Sequence, residues 1–598
     1  MRKAEPLKRL ALLLLTALPL ALSACSPQSS FVSSGISDND KSENSVFSVK
    51  EPSGITEKVT GEKFGFDSSA EDNTKAFRRA AKYLKKHPNT ELSLEKGVYR
   101  FAPDRRIDIS GVKNSEINGN GAEFVFSTEN YFNVISCDTV EIKNLTVDWD
   151  WEKGGRLASV ARVYEILGST VTFQFPESGA ARQAADEVWE TMNQMDPETL
   201  TPGCIGGAEY WELSKTVTDK KYLGNGLVSV EFGADNLSRL EVGQVYLIRH
   251  RLYASSVFYT GGNSKNITYR DINIDGAYGS GFVAGGGAEY MLFSGIKIGL
   301  REGTEEKYRI STTVDAFHIA DTKGHFIIEN CDVSFQGDDC LNVHDNVGVL
   351  EDNGAKKLTV SCMQPAIFQK GMQIAFKKAA DYSDYDATAT VRKVSYVFGK
   401  ALLTLDKDIS DIPVGAVVYN NMNDSGNYIV RNNYFHECRA RGLLLGSDNG
   451  LVENNRFYKT QGAALRISVD IGDTWMEGTG SDNLVIRKNS FDCCNVNDWS
   501  SVVELVSNYK GSIINGDCFN NIELRDNYFS EFPSLAVSVS SAKDIRIMGN
   551  TFKNETEIAG SHDRGRIAVE GSSKTEIADN TWPFSEFTEE NVSQVILK

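Results

Sequence analysis

The chain has 598 residues, is 41% hydrophobic, and carries 63 Lys plus Arg against 81 Asp plus Glu, a formal net charge of −18. That balance excludes a nucleic-acid partner, because phosphate binding needs clustered Lys and Arg, and it suits a neutral ligand. Length alone suggests three or four globular domains, so internal repetition has to be tested before domains are counted.

Residues 1–25 place Arg2, Lys3, Lys8 and Arg9 before an apolar run from Leu10 to Leu22, followed by "LSAC", which is the form of a secretory signal. Ser23 and Ala24 directly precede Cys25, so the segment resembles a bacterial lipoprotein signal with Cys25 as the lipidated first residue of the mature chain. The apolar run is too short to span a bilayer core of about 30 Å. The expectation is a protein of the bacterial cell envelope, facing away from the cytoplasm and touching the membrane only through its lipid. Residues 26–50, rich in Ser, Asn and Asp, read as a flexible linker.

Residues 51–151 hold an N-terminal cap and the first coils of a repeat. Phe77, Ala80, Ala81 and Leu84 recur at helical spacing and predict a capping helix. Two segments, 152–257 and 347–424, alternate short strands with turn residues and predict small antiparallel β subdomains inserted in loops. Between and after them, residues 258–346 and 425–583 repeat one strand type, as in "GNYIVRNNYF", "DNLVIRKNSF" and "NNIELRDNYF". Residues 584–598 form a tail. Six repeats place an Asn two residues before an aromatic: Asn433/Phe435, Asn455/Phe457, Asn489/Phe491, Asn527/Phe529, Asn550/Phe552 and Asn580/Trp582. Asn tolerates left-handed backbone, so the recurring Asn marks a corner and the aromatics stack inside. A second strand type follows each first one ("DDCLNVH", "ARGLLLG", "GAALRIS"), and two strands with their corners are expected to close one coil. The fold class is all-β: a right-handed parallel β-helix with a capping helix and two inserted antiparallel barrel or sheet subdomains. The nine cysteines after Cys25 are odd in number and lack a CxxC pair, so they read as buried small hydrophobes, with no zinc site.

The stretch "FQGDDCLNVHDN" sets two aspartates side by side at the start of an apolar strand, although burying even one charge is costly. Aligning "DAFHIA" over "DCLNVH" stacks Asp315 on Asp339, 24 residues apart, and sets Asp338 opposite Val314. Asp338 and Asp339 reach one cleft only if the backbone turns there, and Gly337 supplies that freedom. Carboxylates so close cannot all ionise cheaply, so one keeps its proton near neutral pH. A protonated acid beside ionised bases suits glycosidic cleavage. A calcium site built from the same oxygens and hydrogen-bonded corner aspartates without function remain alternatives.

"VD...GDDC" resembles the catalytic core of polygalacturonases, glycoside hydrolase family 28, but "ARGLLLG" replaces the Gly-His-Gly of that family and "ALRIS" keeps Arg466 without a neighbouring Lys. A closer resemblance, from about Asp67 to Trp582, is to glycoside hydrolase family 110, the bacterial exo-acting α-1,3-galactosidases, carried by "VDWDW", "GQVYLIRHRLY", "TTVDAFHI", "GDDCLNVH", "ARGLLL" and "GDTWMEGTG". It implies inverting hydrolysis of terminal α-linked galactose from a glycan, with Asp338 as general acid and Asp315 and Asp339 holding and deprotonating the water, and it implies no metal or organic cofactor. His318, Asn342, His344, Arg441, Trp475 and Glu477 are candidate substrate-binding residues, against the plainer reading of core histidines, a charge-balancing arginine and a surface loop. Competing functions are a calcium-dependent polysaccharide lyase, with Arg441 or Arg466 as base, and a non-catalytic glycan-binding surface protein.

Overall fold

The computed structural model describes residues 47–233, 238–304, 307–363, 367–554 and 567–581. Cys25, the signal, most of the linker, Trp582 and the tail lie outside them.

The repeat is a parallel β-helix. Each coil of its later part holds three strands, not two. One coil runs through Phe326–Glu329, Asp332–Ser334 and Leu341–His344, and the next through Tyr428–Arg431, Tyr434–Cys438 and Leu443–Gly446. All three pairs of strands are parallel and in register. The first strand type is divided by one left-handed residue, Asn330 (φ 57°) and then Asn432 (φ 58°), which turns the chain at a corner too short to interrupt the sequence pattern.

The left-handed residue is also not the one the repeat pattern singles out. It stands one place earlier, at Asn432, Asn454, Lys488, Asp526, Gly549 and Asp579. The recurring Asn is kept for its side chain. Asn433 Nδ2 donates to Asn455 Oδ1 at 2.9 Å, Asn455 to Asn489 at 3.0 Å, Asn489 to Asn527 at 3.0 Å and Asn527 to Asn550 at 3.0 Å. Each also donates to a backbone carbonyl, as Asn489 does to Val452, so the buried amides satisfy both the corner and one another. Beside them Phe435, Phe457, Phe491, Phe529 and Phe552 stack with centroids 4.8–5.3 Å apart.

The cap is the helix Thr74–Lys86, which buries Phe77, Ala80, Ala81 and Leu84. Phe77 closes the open end of the core against Phe101, Phe124 and Phe132. The first insertion is a seven-stranded antiparallel sheet between Ala158 and Arg249, built around Phe173, Trp189, Val230 and Tyr246. The second is a closed six-stranded antiparallel barrel between Val347 and Asn420. The nine described cysteines are unpaired.

The strands that matter for chemistry stack as Ser280–Ala284, Phe317–Ala320, Leu341–His344, Leu443–Gly446 and Leu465–Ile471. Phe317, Leu341, Leu443 and Leu465 pair in register and fill the core, and the alternate row pairs His318, Asn342, Leu444 and Arg466. Two residues before each strand that register brings Asp315, Asp339 and Arg441 into one column.

Candidate active site

The column is held together by backbone. Ala316 N–H donates to the Asp339 carbonyl and Cys340 N–H to the Arg441 carbonyl. Asp339 N–H then donates to Asp315 Oδ1 at 3.0 Å, and Arg441 N–H to Asp339 Oδ1 at 3.0 Å. Each carboxylate thereby accepts from the coil that follows. Asp338 joins them because the chain bends at Gly337 and Asp338 before the strand begins. Gly337 is needed for room, not for left-handed backbone: a Cβ there would lie 2.4 Å from the Thr313 carbonyl oxygen. One oxygen each of Asp315, Asp338 and Asp339 lies within 4.8 Å of the others.

Their partners divide the charges. Asp338 Oδ1 accepts from Arg439 Nη1 at 2.8 Å, and its Oδ2 accepts from the Tyr253 hydroxyl at 2.7 Å. Asp339 Oδ2 accepts from Arg441 Nη2 at 2.8 Å. Asp315 Oδ2 lies 2.7 Å from His318 Nδ1. Burial opposes ionisation at all three. At Asp338, Arg439, Arg441, Tyr253 and Arg249 together overcome it and hold the carboxyl below its ordinary value. At Asp339, burial and the two neighbouring carboxylates outweigh Arg441 and push the group up to about 8. Asp315 is also raised, by burial first and by Asp338. The resting proton therefore sits on the Asp339–Asp315 pair, whereas a general acid at Asp338 requires it one carboxylate away. The physical reason is the Arg439 guanidinium, which spacing along the strand does not reveal.

The candidate binding residues surround this cluster. His344 Nε2 lies 3.2 Å from His318 Nε2 and 3.8 Å from Glu477 Oε1. Asn342 sits beside His318 in register, and its buried Oδ1 has no partner, like the buried Nε of Arg441. Each is a buried polar atom still free to take a hydrogen bond. Glu477 lies on a two-residue strand pairing with Asp470 and Ile471, and burial raises its carboxyl. Trp475, 45% exposed, meets the Tyr253 ring edge-on at 6.4 Å. Arg466 lies further along and pairs with Glu504 at 2.9 Å.

Four residues went unnoticed in the sequence. Arg249 and Tyr253 stand in the "RHRLY" motif that leads out of the inserted sheet. Arg249 Nη1 donates to the Gly337 carbonyl at 2.7 Å and fixes the bend under Asp338. Arg439, two residues before Arg441, is gripped by Glu209 of the insertion through Nε at 3.1 Å and Nη2 at 2.8 Å. "RHRLY" and "CRARG" carried a signal for the three cation or hydroxyl donors; nothing local marked Glu209.

As a cation site the three carboxylates are poorly suited, since Arg439 and Arg441 already supply positive charge at contact distance.

A parallel β-helix with an acid cluster at the start of stacked strands is the build of a β-helix glycoside hydrolase. Residues 415–552 match the right-handed β-helix region family. The chain is 24% identical over 468 residues to α-1,3-galactosidase A of Bacteroides fragilis, covering 74% of this chain and 75% of that one. It is 22% identical over 566 residues to α-1,3-galactosidase B of Bacteroides thetaiotaomicron, covering 86% and 89%. The solved family 28 exopolygalacturonase of Yersinia enterocolitica aligns with 88% of this chain and 79% of its own at 11% identity, with a TM-score of 0.39.

Proposed function

We propose that this glycoside hydrolase removes terminal α-1,3-linked galactose from glycans with inversion at the anomeric carbon. The observation that carries the hydrolysis, as distinct from its stereochemistry, is the convergence of Asp315, Asp338 and Asp339 within 4.8 Å, with a proton retained among them at neutral pH. Asp338 is the most accessible of the three, its side chain 13% exposed against 2% for Asp339 and 7% for Asp315. It is the group that can reach a leaving oxygen. On substrate binding it takes the proton from Asp339 and gives it to the glycosidic oxygen as the bond to the anomeric carbon breaks. Asp315 and Asp339, now ionised, hold the water whose oxygen forms the new bond and accept its proton, which restores the resting count. Trp475 and Tyr253 offer apolar faces to the sugar, and Asn342, His344 and Arg441 meet its hydroxyls. Arg249, Arg439, Arg441 and Arg466 all bind oxygens of the chain itself, which favours a neutral sugar over a uronate.

The test is the anomer first released from an α-1,3-galactosyl oligosaccharide, followed by NMR. β-Galactose is expected. A second reading, retention, is favoured by one measurement: carboxylates this close match the about 5 Å of a covalent mechanism better than the roughly 6.5–9.5 Å usual for inversion. Ionised Asp338 would then be nucleophile and Asp339 the acid, and α-galactose would appear first. The lyase reading lacks a base, because Arg441 and Arg466 are both ion-paired and Arg441 is held above its ordinary value by Asp339 and Asp338 against the effect of burial. A glycan-binding protein without turnover predicts no released galactose at all.

We further propose that Cys25 carries a lipid that holds the enzyme in the cell envelope. Cys25→Ser should release it from the membrane fraction, and mass spectrometry of the mature N-terminus should show the acyl chains.

A further inference from the structure

Asp338 is the near end of a chain of charges that leads out of the β-helix into the first insertion. Its Oδ1 accepts from Arg439 Nη1 at 2.8 Å, and the other two nitrogens of that guanidinium close a bidentate pair on Glu209, at 3.1 and 2.8 Å. Glu209 lies on the short strand Glu209–Tyr210 of the inserted sheet. It is partly buried, its side chain 13% exposed, and is further fixed by Asn193 Nδ2 at 2.9 Å, Gln461 Nε2 at 3.0 Å and Trp211 Nε1 at 3.3 Å. The Trp211 ring lies 4.8 Å from the Arg439 guanidinium carbon and 5.2 Å from that of Arg249. Arg249 in turn grips the carbonyl before Asp338. An insertion placed only for packing would not need a carboxylate paired with the guanidinium that bonds Asp338.

We propose that Glu209 is a positioning residue for the reaction: by sharing Arg439 with Asp338, it limits how firmly that guanidinium holds Asp338 as a carboxylate and so lets Asp338 take up a proton. The inference rests on the glycosidase reading above. The charged groups facing Asp338 are Arg249 and Tyr253 at the exit of the insertion, Arg439 and Arg441 on the following coil, Asp315 on the preceding one, Asp339 beside it and Glu477 from the facing loop. Of these, Arg439 alone is divided between Asp338 and a second carboxylate from outside the β-helix. Glu209→Gln keeps the shape and an oxygen for Asn193, Gln461 and Arg439 Nε but removes the charge, which leaves Asp338 as the carboxylate paired with Arg439.

The experiment compares the full-length enzyme with Glu209→Gln and Glu209→Asp on two α-galactosides. One has a sugar leaving group, which needs protonation, and the other a dinitrophenyl leaving group, which does not. With the sugar substrate, Glu209→Gln should lower kcat/KM about tenfold to a hundredfold at pH 7, and the alkaline fall of the profile should begin about one pH unit earlier. With the dinitrophenyl substrate it should match the parent, and Glu209→Asp should recover most of the loss. Equal losses on both substrates, or an unchanged pH profile, would overturn the inference and leave Glu209 a packing residue. Asp338→Asn separates the two readings: if it still cleaves the sugar substrate at the parent rate, the site assignment has failed, whereas an inactive Asp338→Asn beside a parent-like Glu209→Gln sinks this inference alone.

Discussion

His318 and His344 meet Nε2 to Nε2 at 3.2 Å, so one of those nitrogens carries a proton and the other does not. Burial and the neighbouring His318 push His344 down to about 3, which keeps it neutral. Burial also opposes the charge on His318, but Asp315, Glu477 and Asp339 outweigh it and raise the group. His318 is therefore the donor on both sides, to Asp315 Oδ2 through Nδ1 and to His344 through Nε2.

A group raised in the folded state stabilises fully below its unfolded value, about 6.5 for histidine, and loses that contribution as pH rises through the folded value. Nitrogen NMR of labelled histidine should show His318 still protonated above pH 6.5, with His344 untitrated until acid unfolds the chain. His318→Gln removes a charged donor from Asp315, and kcat should fall about tenfold to a hundredfold.

Asp339 gives a window of the same sign as His318, the reverse of the usual carboxylate case. Its folded value, about 8, lies above the ordinary 3.8, so the folded chain binds more protons than the unfolded chain between those limits. This group makes stability fall as pH rises from about 4 to about 8. Asp339→Asn cannot titrate, so the drop in Tm between pH 5 and pH 8 should be smaller in the variant, although an amide nitrogen replaces one of the two oxygens that accept from Arg441 and Tm at pH 5 is lower. Activity on glycan substrates should fall about a thousandfold, and in the parent enzyme kcat/KM should decline above about pH 8 as the shared proton is lost.

The acid column was legible because a β-helix converts a sequence interval into a stacking distance: the 24 residues from Asp315 to Asp339 are one coil, and Arg441 follows in the same column. The capping helix was legible for the same kind of reason, since Phe77, Ala80, Ala81 and Leu84 share one face. The third strand of each coil was not, because the left-handed residue that separates it is Asn in some coils and Lys, Asp or Gly in others. The division of protons was not legible either. It depends on Glu209 and Arg439, 230 residues apart, meeting where an insertion folds back on the helix.

The barrel carries a turn whose chemistry is unexpected. Val397 pairs with Lys400, so Phe398 and Gly399 are the whole loop of a hairpin, and both have positive φ, 48° and 73°. That turn type favours Asn-Gly, and a bulky residue in left-handed backbone is strained. Phe398 is also 99% exposed, so its ring gains no burial in return. Phe398→Asn should stabilise the chain by about 1 kcal/mol. Denaturant unfolding checks this through a higher midpoint at unchanged slope, and an unchanged midpoint would mean that the ring is covered in solution.

Trp475 tests whether the loop opposite the acids belongs to the site. Its neighbour Glu477 bridges to Asn346 just beyond the acid-bearing strand, and Gly478 N–H donates to the Asp345 carbonyl. The barrel supports the loop from behind, where the Tyr382 hydroxyl donates to the Gly478 carbonyl at 2.6 Å. The backbone is thus pinned on both sides while the indole stays half-exposed beside Tyr253, the residue whose hydroxyl binds Asp338. An exposed aromatic on a fixed loop serves binding more than folding. Trp475→Ala should therefore leave Tm within about 1 °C, since surface substitutions rarely exceed about 0.5 kcal/mol. It should raise KM about tenfold for oligosaccharides, with kcat changed less, because stacking holds ground state and transition state alike. Trp475→Phe should restore most of the affinity. A lower kcat at unchanged KM would instead place the indole against the reacting centre, and no change in either would remove this loop from the binding surface.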